Sequence, residues 1–200
     1  MRTRQAREDI GRGAPPGMAY GLRMLRSRFV ARLRGDQTKQ RLLDLGLRST
    51  GKFTIARGVY VDANFAWAVT IGDGVVIAHD VKITAHDAAL KRLMGYTVVR
   101  PIEIGARAYI GAGSILLPGA RIGEGSIVGA GSIVTGEIPP HCVAYGNPCR
   151  VQGATEDLQA RHEQAMREVE VFERAPRNMP LAQRRQMREA LERDGTIYVR

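Results

Sequence analysis

A histidine, His86, stands directly after a break in an otherwise regular repeat, in the stretch ITAHDAALKRLMGYTVVRPIEIG that covers residues 83–105. A neutral imidazole can take a proton from a hydroxyl near neutral pH, so a histidine held at such a break is a candidate general base. The next residue, Asp87, is a candidate to contact substrate hydroxyls or to orient the loop. A surface histidine without a role is the simpler interpretation, and its position at the break favours the functional one.

Cys142 and Cys149 offer a second kind of chemistry, but neither stands in a recognisable nucleophile setting. They lack the C-x-x-C spacing of a redox or zinc site, and an exported disulfide scaffold would carry more cysteines. We interpret both as reduced thiols of a cytosolic protein. The sequence shows neither a signal peptide nor an apolar run long enough to span a membrane.

The residues on both sides of the break repeat every six positions. Large apolar residues share one phase before the break and another after it: Phe53, Val59, Phe65, Ile71, Ile77 and Ile83, then Ile104, Ile110, Leu116, Ile122, Val128 and Val134. A second phase, four residues on, is mostly small: Ala63, Val69, Val75 and Val81, then Ala108, Ser114, Ala120, Ser126 and Ser132.

A period of six fits neither an α-helix nor an amphipathic strand. It predicts a solenoid with one short strand and one turn per hexapeptide, in which three strands close a triangular coil of roughly eighteen residues. A β-sandwich is the alternative, but its turns would be spaced irregularly and nearer to about ten residues. The period therefore favours stacked coils of parallel strands.

The stretches ITAHDAALKRLMGYT, AYIGAGSILLPGARIG, VGAGSIVTGEIPP and GNPCRV resemble the hexapeptide-repeat acyltransferases, in the branch that acetylates galactosides, maltose and surface polysaccharides. The resemblance covers residues 51–152 and implies a left-handed parallel β-helix with an excursion loop. It also implies acetyl transfer from acetyl-CoA to a hydroxyl, homotrimers with sites between subunits, and a loop that carries the catalytic histidine, here His86.

The same resemblance implies residues that bind acetyl-CoA. Ala112 and Ala130 match positions whose backbone meets the pantetheine arm, and Thr135 follows in the same groove. Arg150 matches a basic residue near the nucleotide phosphates, where a guanidinium suits a phosphate.

Three further positions bear on ligand binding. Asn64 in DANF matches an asparagine that binds the acceptor in the galactoside enzymes. Tyr109 stands where tryptophan is common in the family, which leaves a smaller aromatic face for the cofactor. Gly136 stands where lysine is common, which removes one cation from the phosphate region.

A zinc enzyme is an alternative, since some hexapeptide β-helix proteins resemble the gamma-class carbonic anhydrases and bind zinc through three histidines. His79 and His86 are seven positions apart, and His141 and His162 lie far downstream, so the close histidine pair of that class is missing. We interpret His79 as a turn residue and expect no metal.

The formal charge of +10 is concentrated at the start of the chain, since residues 1–52 carry thirteen Lys/Arg and four Asp/Glu. Residues 18–34, MAYGLRMLRSRFVARLR, place apolar residues at helical spacing between arginines. This segment predicts either a helix that covers the open end of the solenoid or a helix that lies on an anionic membrane surface. We expect no nucleic acid partner, because no recognisable binding motif accompanies the charge.

The chain divides into three predicted regions. They are a basic helical N-terminal segment (1–50), a β-helix acyltransferase domain (51–152) with its excursion loop (84–103), and a charged helical C-terminal extension (153–200). The extension is expected to form helices over residues 155–173 and 180–193, and the final GTIYVR is expected to add a short strand or to pack back.

These features predict a mainly β, cytoplasmic, acetyl-CoA-dependent O-acetyltransferase that acts on a sugar or glycan hydroxyl in surface polysaccharide biosynthesis. Contact with the inner face of the membrane through residues 18–34 is part of one of the two interpretations of that segment. Two alternatives stay open: N-acetylation of an amino sugar nucleotide, and a non-catalytic or zinc-dependent β-helix protein.

Overall fold

The computed structural model of the protein describes residues 37–173 and 179–200. The basic stretch 18–34 lies outside these residues, so both expectations for it, an end cap and a membrane helix, stay predictions. No helix among the described residues is both long enough and apolar enough to cross a membrane.

Short strands dominate the described chain. In chain order they are β1 (Arg48–Ser49), β2 (Thr54–Ile55), β3 (Tyr60–Val61), β4 (Val69–Ile71), β5 (Val76–Ile77), β6 (Lys82–Ile83), β7 (His86–Asp87), β8 (Val98–Val99), β9 (Ile102–Ile104), β10 (Tyr109–Ile110), β11 (Ile115–Leu116), β12 (Arg121–Ile122), β13 (Ile127–Val128), β14 (Ile133–Val134), β15 (Glu137–Ile138), β16 (Cys142–Tyr145), β17 (Arg150–Ala154), β18 (Val171–Phe172) and β19 (Tyr198–Val199).

The chain visits three sheets in turn, and each circuit forms one coil of a triangular prism. Face A holds β1, β4, β9, β12 and β15; face B holds β2, β5, β10, β13 and β16; face C holds β3, β6, β11 and β14. Strands of successive coils pair in parallel within each face. The predicted parallel β-helix of hexapeptide repeats is therefore confirmed.

The six-residue period places one large aliphatic residue of each strand inside the prism. Ile77, Ile110 and Val128 stack on face B and are almost fully buried. The small serines of the second phase are buried with their hydroxyls paired to carbonyls, as in Ser126 with Pro139 (2.6 Å) and Ser132 with Gly129 (2.6 Å). A larger polar side chain would not fit beside the aliphatic column, which explains the small residues in this phase.

The predicted register is wrong for the first coil. Thr54 pairs with Val76, so Phe53 lines up with Val75 in the small-residue column instead of with the isoleucines. The strand pairs of the first two coils are 22 positions apart, whereas coils without an interruption repeat after 18, as in Tyr109 with Ile127. Four extra residues therefore lie between β3 and β4.

The extra residues form a 3₁₀ helix, Ala63–Ala68. Phe65, predicted to point into the core, has non-helical backbone angles (φ −126°, ψ 19°) and is only half-buried. Ala66 and Ala68 fill the interior in its place. The prediction for Phe65 failed because a constant phase was carried across an interruption that has no glycine or proline to mark it.

The predicted excursion after Ile83 is confirmed, and its end differs by two residues from the predicted 84–103. Strands β7 and β8 pair antiparallel, and the turn between them contains the four-residue helix Lys91–Met94. The chain rejoins face A at Ile102, where β9 begins.

The residues that precede the first coil cover the open end of the core. Helix α1 (Lys39–Asp44) begins after Thr38, whose hydroxyl accepts from Arg41 N–H (3.2 Å), and it places Leu42 fully buried over the core. The Gln37 side chain pairs with the edge strand β3, since its amide donates to the Val61 carbonyl and accepts from the Val61 N–H, both at 2.7 Å. These contacts satisfy edge groups that would otherwise face solvent.

The C-terminal extension differs in part from its prediction. Its first helix, α3 (Thr155–Ala165, counting Lys91–Met94 as α2), ends eight residues before the predicted 173, because Val171–Phe172 instead forms a parallel pair with Tyr198–Val199. The second helix, α4 (Leu181–Asp194), agrees with the prediction and buries Met187 and Ala190. The final GTIYVR contributes the strand β19, one of its two expected forms.

Some turns require glycine because a side chain there would clash with the backbone of the next coil. A Cβ on Gly111 would lie 2.5 Å from the Ala130 nitrogen and 2.7 Å from the Gly129 carbonyl carbon, both backbone atoms of the next coil. Gly111→Ala should lower the free energy of unfolding by about 3 kcal/mol, as overpacking against backbone does. Urea unfolding followed by circular dichroism at one protein concentration measures this.

The matched control is Gly136→Ala, because a Cβ on Gly136 meets nothing within 4 Å. That variant should stay within about 0.5 kcal/mol of the parent protein. Equal stability of the two variants would contradict the close approach of the coils at Gly111.

Candidate active site

Both interruptions of the repeat leave the prism at one corner, where face C passes into face A. The 3₁₀ helix follows β3, and the excursion follows β6, the neighbouring strand on face C. Asp62 N–H donates to the Ile83 carbonyl at 3.0 Å, so the two departures are stacked on adjacent coils. We call this place the C/A corner.

A carboxylate and an imidazole meet at the C/A corner. The Nδ1 atom of His86 contacts Oδ2 of Asp62. Asp62 is 3% exposed, and its other oxygen, Oδ1, accepts from the Asn64 N–H at 3.2 Å. One carboxylate therefore caps the 3₁₀ helix and faces the histidine.

The two facing atoms have no alternative partners. Among the described residues, neither Asp62 Oδ2 nor His86 Nδ1 makes a hydrogen bond elsewhere. A buried carboxylate is costly unless it is paired, so the contact with Nδ1 is the one that satisfies it. The arrangement favours the tautomer with a proton on Nδ1, which leaves the lone pair on Nε2.

The imidazole is held on its face as well as on its edge. The Phe65 ring lies with its centroid 4.8 Å from that of His86 at an interplanar angle of 33°. The His86 side chain is 31% exposed, so one part of the ring still reaches solvent. A buried carboxylate, a stacked ring and an open edge together suit a positioned proton acceptor.

The two predicted acceptor residues lie next to this pair in the chain, and Asn64 contacts it through its backbone N–H. Asp87 is exposed, and its carboxylate accepts from the Ala89 N–H at 2.8 Å, which fixes the start of the loop. Asn64 is exposed and lies between Asp62 and Phe65, both of which contact His86. The carboxylate that faces the imidazole is that of Asp62.

Two of the predicted cofactor residues lie together at a different corner, where face B passes into face C. Ala112 and Ala130 are both exposed, and Gly131 N–H donates to the Ala112 carbonyl at 2.8 Å. Gly113 and Gly131 have positive φ (70° and 69°), and nothing lies within 4 Å of a Cβ built on either. We call this open ledge of turns the B/C corner.

The other predicted cofactor residues lie on the coils that follow the excursion. Thr135 directly follows β14, and Cys149, the neighbour of Arg150, donates its N–H to the Ile133 carbonyl at 2.8 Å. Thr135 and Arg150 therefore both lie near β14, and both are exposed. Tyr109 is separate from them, because it projects from face B with 43% of its surface exposed.

The cysteines do not form a nucleophilic site. Burial raises the pKa of the Cys149 thiol, although a hydrogen bond with Ser132 and the charge of Arg150 oppose that rise. A raised pKa lowers the thiolate fraction at neutral pH, and the thiolate is the nucleophile. Cys142 and Cys149 are both free cysteines in the structure.

The described histidines do not gather into a metal site. Within residues 37–173 and 179–200, no three His, Cys, Asp or Glu side chains are grouped as ligands. His79 is exposed in the turn between β5 and β6, and its carbonyl accepts from the Gly113 N–H at 2.9 Å. His162 Nδ1 is hydrogen-bonded to the Tyr198 hydroxyl at 2.7 Å, in the C-terminal extension.

A broad groove of about 930 Å³ lies elsewhere, along face A. It is lined by alternating charges and small residues, among them Arg48, Glu103, Arg121 and Glu137. Arg121 pairs with Glu103 at 3.7 Å, so these charges balance one another. The residues that line the groove include neither Asp62 nor His86.

Sequence reasoning missed Asp62 and the contact of Phe65. An aspartate in a segment whose neighbours are buried was the available signal, since a buried carboxylate requires a partner. The signal was hidden because the constant phase placed Phe65 inside the core and treated residues 63–68 as an ordinary hexapeptide.

Comparison with known proteins finds a family model that matches part of the chain and relatives that match about half of it. The family described as bacterial transferase hexapeptide (six repeats) matches residues 101–136. The galactoside O-acetyltransferase of Escherichia coli (strain K12) is 43% identical over 104 residues, which are 48% of this chain and 51% of that protein. Nodulation protein L of Rhizobium meliloti (strain 1021) is 44% identical over 110 residues, 50% of this chain and 60% of that protein.

The chain thus spans between half and three fifths of the length of these relatives. Among solved structures, a maltose O-acetyltransferase from Clostridium difficile 630 has a TM-score of 0.47 and 28% identity, covering 64% of this chain and 83% of that one.

The pairing of Asp62 with His86 predicts coupled effects on stability. Asp62→Ala and His86→Ala should each lower the free energy of unfolding by about 1–3 kcal/mol, because each leaves the other group without its partner. In the double variant the loss should be smaller than the sum, with a coupling energy of about 1 kcal/mol or more. Urea unfolding of the four proteins measures this cycle, and additive losses would contradict the pairing.

Proposed function

We propose that this protein, whose residues 101–136 match the bacterial transferase hexapeptide (six repeats) family, is an acetyl-CoA-dependent O-acetyltransferase that acetylates a sugar hydroxyl. The observation that carries the proposal is the Asp62–His86 pair at the C/A corner. The names of the relatives, galactoside O-acetyltransferase among them, support the reaction class.

In this proposal His86 is the general base. With Nδ1 facing Asp62, the Nε2 lone pair is available to take the proton of an acceptor hydroxyl as that oxygen attacks a carbonyl carbon. The protonated imidazole can then give the proton to the departing sulfur. A hydroxyl attacks poorly without such help, and no covalent intermediate on the protein is needed.

Asp62 is the positioning residue. Its burial and its second hydrogen bond to Asn64 N–H fix the carboxylate, and the carboxylate fixes the ring and its tautomer. The negative charge also stabilises the imidazolium that forms when Nε2 is protonated. Phe65 restricts rotation of the ring from its face.

Acetyl-CoA supplies the acetyl group as a thioester when it is bound. The B/C corner fits its pantetheine arm, because the exposed turns at Ala112 and Ala130 present backbone groups beside open space. Arg150 is exposed and follows Cys149, which is hydrogen-bonded to β14, and its guanidinium suits a phosphate. Tyr109, on face B, offers an aromatic surface on the side of the B/C corner away from His86.

The acceptor would bind at the C/A corner. Asn64 and Asp87 flank the Asp62–His86 pair in the chain, and both side chains are exposed and polar, as recognition of a hydroxylated ligand requires. We assign the protein to surface polysaccharide biosynthesis in the cytoplasm. The two free thiols agree with a reducing compartment, and membrane contact through residues 18–34 would suit a lipid-linked acceptor.

The positions of the two corners support a site between copies of the chain. Within one chain, face C separates the B/C corner, with Ala112 and Ala130, from the C/A corner, with His86. A neighbouring copy that turns its B/C corner toward His86 would complete the site, and three copies related by rotation close such a contact. We therefore propose a homotrimer.

Replacing the proposed base should slow the chemistry and spare cofactor binding. His86→Ala and His86→Asn should each lower kcat by about 10²–10⁴-fold, since neither can take a proton, with KM for acetyl-CoA within about twofold. Asp62→Asn keeps the cap on the 3₁₀ helix and should lower kcat by a smaller factor. Mass spectrometry of products from sugars and amino sugar nucleotides with acetyl-CoA gives both the rate and the atom acetylated.

The control is His162→Ala, which removes an imidazole from the C-terminal extension and should leave kcat unchanged. Folded His86 variants with most of their activity would place the chemistry elsewhere. A product acetylated on nitrogen would replace the O-acetyltransferase proposal.

The assembly is tested by light scattering at micromolar concentration. We expect the mass of three chains of 21.9 kDa. A fully active monomer would contradict the shared site, because it would show that one chain supplies both corners.

A further inference from the structure

Trp67 is a large apolar side chain that the fold leaves exposed next to the candidate site. It is the single tryptophan of the chain, it belongs to the 3₁₀ helix that follows Asp62, and 55% of its surface is exposed. Neither the proton transfer nor the packing of the prism uses it, since Ala66 and Ala68 fill the core on either side of it.

The indole is held in place although it is exposed. Its Nε1–H donates to the Asn64 carbonyl at 3.1 Å. Behind it, a Cβ on Gly46 would lie 3.0 Å from the Trp67 Cβ, so the turn between α1 and β1 packs against the root of the side chain. A ring fixed at both ends presents its surface without losing much further freedom on binding, which is a property of ligand-binding aromatics.

The indole is linked to His86 through one ring. The Phe65 centroid lies 6.3 Å from that of Trp67 and 4.8 Å from that of His86. Three rings therefore follow one another from the solvent-exposed indole to the proposed base. The distance from Trp67 to the Nε2 atom of His86 is therefore no longer than a small glycan.

We propose that Trp67 is the platform on which the acceptor sugar stacks. A pyranose ring has one or two faces made of C–H groups and an edge made of hydroxyls. Its C–H face suits the electron-rich face of an indole. Its hydroxyl edge would then meet the polar side chains of Asn64 and Asp87, with one hydroxyl directed to His86. The inference rests on the proposed function and adds the residue that selects a cyclic sugar as acceptor.

Tryptophan fluorescence tests this binding without catalysis, because Trp67 is the sole source of the signal. Full-length His86→Ala protein is titrated with methyl β-galactoside, methyl α-glucoside and maltose, and with the open-chain alditols galactitol and sorbitol. We expect a saturable change in emission with at least one pyranoside, and none with the alditols, which carry hydroxyls but no ring face. An unchanged emission with every pyranoside would overturn the proposal.

Steady-state kinetics give an independent readout. Trp67→Ala should raise the acceptor KM by about tenfold, as loss of about 1.4 kcal/mol of stacking does, with kcat and the acetyl-CoA KM within twofold. Trp67→Phe keeps a smaller aromatic face and should raise the acceptor KM less. The matched control is Leu181→Ala, which removes another exposed apolar side chain, on α4, and should leave every constant unchanged.

The two experiments separate the platform from the proposed reaction. If wild-type protein acetylates pyranosides and both Trp67 variants keep the parent acceptor KM, the platform is wrong and the O-acetyltransferase proposal stands. If pyranosides change the emission but are not acetylated, the platform stands and the reaction is wrong. If pyranosides are neither bound nor acetylated, both fail.

Discussion

The pairing of every coil with the next is the constraint on which the rest of this structure depends. In the inner coils, backbone groups of each short strand are satisfied by the strands on either side, and Gly111 shows that the coils approach too closely for a Cβ at such a turn. An insertion within a face would leave these groups unpaired. Extra residues can therefore leave the prism only at its corners, and both interruptions use the same one.

That shared corner explains how the two polar groups meet. Asp62 and His86 belong to different coils, yet the bond from Asp62 N–H to the Ile83 carbonyl fixes one departure against the other. The burial of the Asp62 carboxylate then makes its contact with Nδ1 strongly favoured, because no water replaces it there. The β-helix thus sets the backbone positions, and the cost of a buried charge sets the orientation of the ring.

The sequence predicted the parts of the molecule that obey the repeat. The period of six predicted three faces, the buried column through Ile77 and Ile110, and an excursion after Ile83, because each is a local consequence of strand and turn length. It did not predict the register of the first coil, since the four extra residues carry no break in composition. For the same reason Asp62 was missed, and the partner of His86 remained unidentified until the coils were stacked.

The division between prism and insertions separates stability from recognition. Ala66 and Ala68 of the 3₁₀ helix complete the core, whereas Phe65 and Trp67 alternate with them on the outer side, where Phe65 contacts both Trp67 and His86. Substitutions on that outer side change what lies in front of the imidazole without disturbing the pairing of coils. A fold of this kind can therefore keep its prism while the surface around the Asp62–His86 pair changes through a few residues of the two insertions.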